Sequence, residues 1–461
     1  MKRSFLSIMI VLIGLILLAC NGDGNDLDDQ GRVTISFFGW GSAEEQANFQ
    51  TLVDRFMAEN DDIRVVYSAV SADMYMRNLN NQMNNLPDVF YIPDTEFMPW
   101  ADSGRLLPLD SYLSEAELER VWSRAISHYR YDRDSFTLGE GPLFALPKDL
   151  GPFAMVMNVD LFERIVAAKG LDMDRPDPSV PMTFSAFADM LESLKCQLRT
   201  VGGEDTCEGG QRIFGVTHYE LAAAIYSNNA NFFNDDATQQ TITDPNFIEA
   251  LQYIANLHLV HGVMPSPSEQ ANLNGFQRFM NGGGIFSFMG PWDMKGFWEN
   301  INFEFDLIPL PVGPAEGAKS TAWVGSMGIA VSERSRQREA AVRLAKYLTI
   351  EEASQRMAYQ LGQSVPNIID IAEDDFLNNV ELNGRQIMPL NKVMFLDIIR
   401  HNAHIAGHPR PTYFTYENIW FDDLFEALLP VFNGQITAQA FVNQYATTIQ
   451  RDLDESNSYL N

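Results

Sequence analysis

Short apolar runs that alternate with amphipathic stretches open the folded part of this chain, and their order leaves few architectures available. Residues 33–38 are rich in β-branched and aromatic side chains, and Gly39-Trp40-Gly41-Ser42 turns them into a helix with Ser42 as the expected N-cap. That helix carries Phe49, Leu52, Val53, Phe56 and Met57 on one apolar face. Residues 63–67 read as a second strand and 88–92 as a third, which ends in Pro93-Asp94-Thr95-Glu96. Strand, helix, strand, helix, strand is the order of a parallel sheet with helices on both faces.

The most informative later stretch is Asn281-Gly-Gly-Gly-Ile-Phe-Ser-Phe-Met-Gly-Pro-Trp-Asp293. Its apolar run, 285–289, lies between Gly284 and Gly290-Pro291 and reads as a buried strand that ends in a forced turn. Trp292 is thrown out at that end. Ligands of open α/β sheets collect beside strand termini, so a large amphipathic ring there is a candidate binding platform. The glycines 282–284 lack the following Lys-Ser/Thr of a phosphate loop, which argues against a nucleotide.

A chain of 461 residues exceeds one comfortable hydrophobic core and calls for two or more lobes. Residues 183–198 read as a capped amphipathic helix, 214–219 as a strand with a polar exit, and Asp244-Pro245 opens another helix. Residues 417–432 and 437–453 read as two closing helices.

Lys2 and Arg3 precede an apolar run, 5–19, too short to span a bilayer comfortably and suited to a signal peptide (1–19). Leu17-Leu18-Ala19-Cys20 resembles the lipobox of bacterial lipoproteins, which implies cleavage before Cys20 and lipid on that cysteine. Residues 20–31 are polar and glycine-rich, a flexible tether. Cleavage removes two cations and takes the formal charge from −29 to −31. So acidic a surface argues against nucleic acid and anionic lipid as partners and leaves lipid on Cys20 as the membrane contact. Cys196 and Cys207 remain, in a glycine-rich polar segment; outside the cytoplasm they are expected to form a disulfide, the alternative being two free thiols.

The opening strands, together with Trp100-Ala-Asp-Ser-Gly104-Arg-Leu-Leu-Pro-Leu109-Asp110, resemble the amino lobe of extracellular solute-binding proteins of the sugar-binding type, the maltose and multiple-sugar receptors of ABC importers. Leu146-Pro147-Lys148-Asp149 followed by Phe153-Ala-Met-Val-Met-Asn158 resembles the family's first crossing between lobes, and Gly290-Pro291-Trp292 its second-lobe ligand turn. Phe305-Asp-Leu-Ile-Pro-Leu-Pro311 resembles the strand returning to the first lobe, Trp323-Val-Gly-Ser-Met-Gly-Ile-Ala-Val331 the strand after it, and residues 338–357 the helix closing that lobe.

The resemblance implies an α/β two-lobe periplasmic-binding-protein-like fold of type II, with a central cleft and a multi-strand hinge. Lobe 1 would comprise 32–149 and 305–358, and lobe 2 would comprise 150–304 and 359–461. It implies a monomer on the outer face of the bacterial cytoplasmic membrane that delivers a carbohydrate, expected to be an oligosaccharide, to an ABC permease. No cofactor, no metal and no catalysis are expected. The alternatives are the same fold binding a polyol, peptide or polyamine, and a secreted glycosidase with two carboxylates flanking a sugar bond.

Sugars present flat C–H faces between hydroxyls, which rigid rings can bury without stranding the hydroxyls. Junction aromatics are therefore the first candidates: Trp40, Trp292, Trp323 and the group Tyr413, Phe414 and Tyr416. Charged side chains bond several hydroxyls at once, which adds Asp94 and Glu96 with Thr95, Lys148 and Asp149 at the crossing, Tyr219 with Glu220, and Arg410. His401, His404 and His408 have helical spacing, but Gly407 and Pro409 break the helix there and no cysteine or close carboxylate completes a metal set.

Overall fold

The structure, a computed structural model, describes residues 27–135, 137–234, 238–322, 324–379, 381–382, 385–401 and 419–457. Along the first half run β1 (Val33–Trp40), α1 (Ala43–Glu59), β2 (Ile63–Val70), α2 (Ala72–Asn81), β3 (Val89–Pro93), α3 (Asp94–Asp102), β4 (Ala145–Pro152) and β5 (Ala154–Asn158). Then follow β6 (Cys196–Val201), β7 (Glu204–Val216), β8 (Gly284–Met289), α4 (Met294–Asn300), β9 (Phe305–Ile308), β10 (Val324–Val331), α5 (Arg338–Ile350) and α6 (Glu352–Gln360).

Two five-stranded sheets organise these elements, one in each lobe. The first has the order β2-β1-β3-β10-β4, with β1 parallel to β2 and β3, and β10 antiparallel to β3 and β4. The second has the order β9-β5-β8-β7-β6, with β8 parallel to β7 and antiparallel to β5. Ser42 caps α1 as expected: its Oγ accepts the Glu45 N–H at 3.2 Å, and Glu45 Oε2 accepts the Ser42 N–H at 2.9 Å. The apolar face of α1 buries Phe49, Leu52, Val53 and Phe56 against the first sheet.

The chain crosses between lobes at Phe153, separating β4 from β5, and again between β9 and β10. Two boundaries differ from expectation. Residues 305–308, expected to begin the return to lobe 1, pair with β5 in the second sheet, because their alternate side chains complete that lobe's core; the crossing comes only after Ile308. After α6 the chain does not leave lobe 1 at residue 359, since Val365 and Ile368 bridge to Leu150 and Val121. By Asn391 it is bonded to Asp306 of lobe 2, at 2.9 and 3.0 Å.

The helix expected over 183–198 ends at Ser193, and Cys196 starts a hairpin that Cys196–Cys207 closes as a disulfide. The closing helices, Ile419–Phe432 and Ala438–Asn457, pack on Pro245–Leu259 of lobe 2. Among the described residues no helix is long and apolar enough to cross a membrane. Cys20 and the leader before it lie outside the described residues.

Candidate functional site

A cavity of about 690 Å³ opens where the carboxyl ends of β1 and β3 meet the first crossing and the turn after β8. Trp40, Asp94, Thr95, Glu96, Lys148, Asp149 and Trp292, seven of the residues singled out from sequence, line it together. Trp40 and Trp292 come from different lobes, so the cavity belongs to the cleft and not to either lobe alone.

The two rings are held differently. Trp40 stands edge-on to Tyr75 and Tyr91, with centroids 4.7 and 5.9 Å apart, which fixes its plane without covering it. Trp292 continues a stack: Phe288 of β8 lies under Phe153 at 5.7 Å, and Phe153 lies nearly parallel to Trp292 at 6.1 Å and 12°. Two glycines make room for that ring. A Cβ on Gly151 would stand 2.5 Å from Trp292 Cζ3, and one on Gly290 would also collide with it.

Strand alternation would send Lys148 and Asp149 to opposite faces. Both reach the cavity because the β4–β10 register slips between Met327 and Gly328, which pair with Asp149 and Pro147 and leave Lys148 as the extra residue of a bulge. Lys148 is 8% exposed; its Nζ pairs with Asp149 Oδ2 and sits over the rings of Phe49 and Tyr91, at 5.2 and 5.6 Å. Asp149 Oδ1 accepts the Met327 N–H at 3.2 Å.

Asp94 is anchored comparably, accepting the N–H groups of Thr95 at 2.8 Å and Ser326 at 3.2 Å. His128 lies 3.6 Å from Asp94, yet burial, aided by the Arg124 charge, pushes its imidazole down to about 3, so the ring is neutral and the contact is no ion pair at neutral pH. These buried groups present fixed acceptors and one cation to a ligand rich in hydroxyls.

Beneath the Trp292 turn, Asp293 accepts the Gly290 N–H at 2.9 Å and so closes the turn that carries the tryptophan. Burial raises this carboxyl to about 7; the Gly290 bond opposes the rise, and Glu45 of lobe 1 adds to it.

Tyr219 is a correction. It is 4% exposed and packs among Phe187, Tyr253 and Phe288, so it supports the strand that leads to Trp292 from behind and does not line the cleft. The polar sequence around it suggested an exit loop, but its ring fills the core of lobe 2. Trp323, Arg410 and Tyr416 lie outside the described residues, as do Tyr413, Phe414, His404 and His408. Sequence reading missed Glu45, Ser71, Met76, Ser326 and Met327, which also line the cavity. Of these only Glu45 carried a signal, its place in the capping box. Among the described residues no group of three or more His, Cys, Asp or Glu side chains could hold a metal.

A curated relative, the multiple sugar-binding protein of Streptococcus mutans, is 20% identical over 411 residues, spanning 87% of this chain and 88% of that protein. Among solved structures, an ABC substrate-binding protein from Listeria monocytogenes in complex with cycloalternan superposes with a TM-score of 0.71 at 19% identity, covering 91% of this chain and 99% of that one. A cyclic alpha-maltosyl-1,6-maltose binding protein from Arthrobacter globiformis gives 0.71 at 18% identity, covering 92% and 100%. The two-lobe fold is therefore shared with these substrate-binding proteins. The pattern of one family matches residues 40–355, more than half of the chain, and the chain belongs to that family, the bacterial extracellular solute-binding proteins.

Proposed function

We propose that this protein captures a carbohydrate, of oligosaccharide size, in the interlobe cleft and delivers it to an ABC permease, held at the outer face of the cytoplasmic membrane by lipid on Cys20. The observation that carries the reading is the pair of tryptophans on one cavity, Trp40 from lobe 1 and Trp292 from lobe 2, with Asp94, Lys148 and Asp149 between them. Rings on both lobes bury sugar faces only when the lobes approach, so ligand binding favours the closed state over the open one. The buried polar set bonds hydroxyls whose number and spacing select the sugar. Nothing in this scheme requires a bond to be made or broken, and the protein acts as a receptor, not an enzyme. The sugar-binding relative in Streptococcus mutans supports the ligand class.

A second reading, a cationic solute such as a polyamine in the same cleft, is favoured by its charge: Glu45, Asp94, Glu96 and Asp149 face the single cation Lys148 among the described lining residues. Thermal-shift titration separates the two, since a ligand that binds only the folded state raises the melting temperature. A rise with malto-oligosaccharides or other glycans, and none with spermidine, is expected. A rise with spermidine alone refutes the carbohydrate reading, and a sugar cleaved during prolonged incubation refutes the receptor role.

A further inference from the structure

Outside the ligand cavity, Lys295 and Asn48 make a polar contact between the lobes. Lys295, on the first turn of α4 in lobe 2, donates from Nζ to Asn48 Oδ1 on α1 of lobe 1 at 2.8 Å. Asn48 is 2% exposed and its amide donates onward to Gln363 Oε1 at 3.2 Å and to the Leu361 carbonyl at 3.3 Å, both on the segment that follows α6. Gln363, also 2% exposed, donates to Glu45 Oε1 at 3.0 Å, and the other oxygen of that carboxylate accepts the Ser42 N–H. Glu45 and Ser42 line the cavity, whereas Lys295, Asn48 and Gln363 do not.

We infer that Lys295 is a positioning residue for closure: its bond to Asn48 holds the lobes together independently of ligand, and the Asn48–Gln363–Glu45 chain ties that contact to the cavity wall. The inference rests on the hinge-bending part of the proposed function and not on the identity of the solute. The geometry supports it in three ways. The donor is charged and the acceptor amide is buried, so the bond is of the stronger kind. The acceptor is fixed by two further bonds and cannot follow Lys295 if the lobes part. The intervening segment also packs tightly on α4: a Cβ on Gly362 would stand 2.7 Å from Trp298 Cζ3 and 3.0 Å from the Lys295 amide nitrogen.

The test needs no ligand. Spin labels at the exposed helical positions Asp73→Cys in lobe 1 and Ala167→Cys in lobe 2 report the interlobe distance in the full chain. Loss of one charge-assisted bond between states corresponds to about tenfold in their ratio. Lys295→Met is expected to lower the closed share of ligand-free protein by about that factor, Asn48→Ala to do the same, and the pair to do no more than either. Lys295→Arg, which keeps a donor, restores the closed share. Should Lys295→Met melt early, Lys295→Ala, which likewise has no donor, carries the same expectation. An unchanged distance distribution in the folded variants, or additive effects of Lys295→Met and Asn48→Ala, overturns the inference. Because no solute is present, that outcome is distinct from a failure of the carbohydrate reading.

Discussion

Gly151 and Trp292 share one space: the point where a Gly151 Cβ would stand is 2.5 Å from Trp292 Cζ3. The glycine ends the strand that leaves lobe 1 and the tryptophan begins the turn that carries lobe 2's ring, so absence of a side chain at the first sets the pose of the second. Gly151→Ala keeps the backbone unstrained and displaces only the ring. It is expected to weaken oligosaccharide binding by about 1–3 kcal/mol, the scale of losing a buried aromatic contact. Trp292→Ala should cost a similar amount, and the double variant no more than either alone. Calorimetric titration of the three variants checks this; full affinity in Gly151→Ala would return that glycine to a purely local role.

Lys148 and Asp149 form a sheltered ion pair on the cavity wall. Removing one partner of such a pair leaves the other charge stranded and costs about 3–5 kcal/mol, whereas removing both can be nearly neutral. Lys148→Met should therefore lower the melting temperature markedly, and Lys148→Met with Asp149→Asn should recover most of it. The double variant should still lose sugar affinity, since two hydroxyl partners are gone. Chemical denaturation of the single and double variants, combined in a cycle, measures the coupling. Equal, additive losses would mean the pair is not coupled in the fold.

Much of this arrangement was legible in the sequence, and the failures have physical causes. The parallel start of the first sheet followed from alternating periodicity at 33–92, and Trp292 followed from a strand cut by Gly290-Pro291. Lys148 and Asp149 followed from the resemblance of residues 146–158 to the family's first crossing between lobes. That both face one cavity depends on the bulge opposite Met327, and pairing register between strands 172 or more residues apart leaves no local trace. Tyr219 misled for the converse reason: its polar neighbours describe the backbone's exit, while its ring turns inward onto Phe288. Strand 305–308 was assigned to the wrong lobe because an apolar strand fits either core; only its pairing with β5 decides. Met76, Ser326 and Met327 are ordinary residues that tertiary contacts alone bring to the site.

The hairpin closed by Cys196–Cys207 gives a control in which stability and binding separate. The disulfide closes a loop of 11 residues, and the chain-entropy relation gives about 3 kcal/mol for a loop of this order. No residue of the hairpin lines the cleft cavity, and its outer end is pinned to lobe 2 by Arg164 and Asp205 at 2.7 Å. Cys196→Ser with Cys207→Ser, or reduction by dithiothreitol, should lower the melting temperature while leaving ligand affinity within twofold of the parent. A matching loss of affinity would show that the hairpin reaches the cleft through lobe 2's core.

Asp293 makes the stability of the Trp292 turn depend on pH, and the sign follows from its carboxyl being raised to about 7. An unfolded aspartate titrates near ~4, so between about pH 4 and 7 the folded chain holds a proton that the unfolded chain has released. This contribution to stability is fully present below about pH 4 and is lost as pH rises through 7. Asp293→Asn is neutral throughout and retains an oxygen for the Gly290 N–H, so it keeps the turn and removes the titration. Its melting temperature relative to the parent should climb steadily from pH 4 to 7 and level off above. Taking the difference between variant and parent cancels the other carboxylates, which titrate alike in both. A difference that stays constant across that range would mean Asp293 ionises normally, and that Glu45 and the buried turn do not hold its proton.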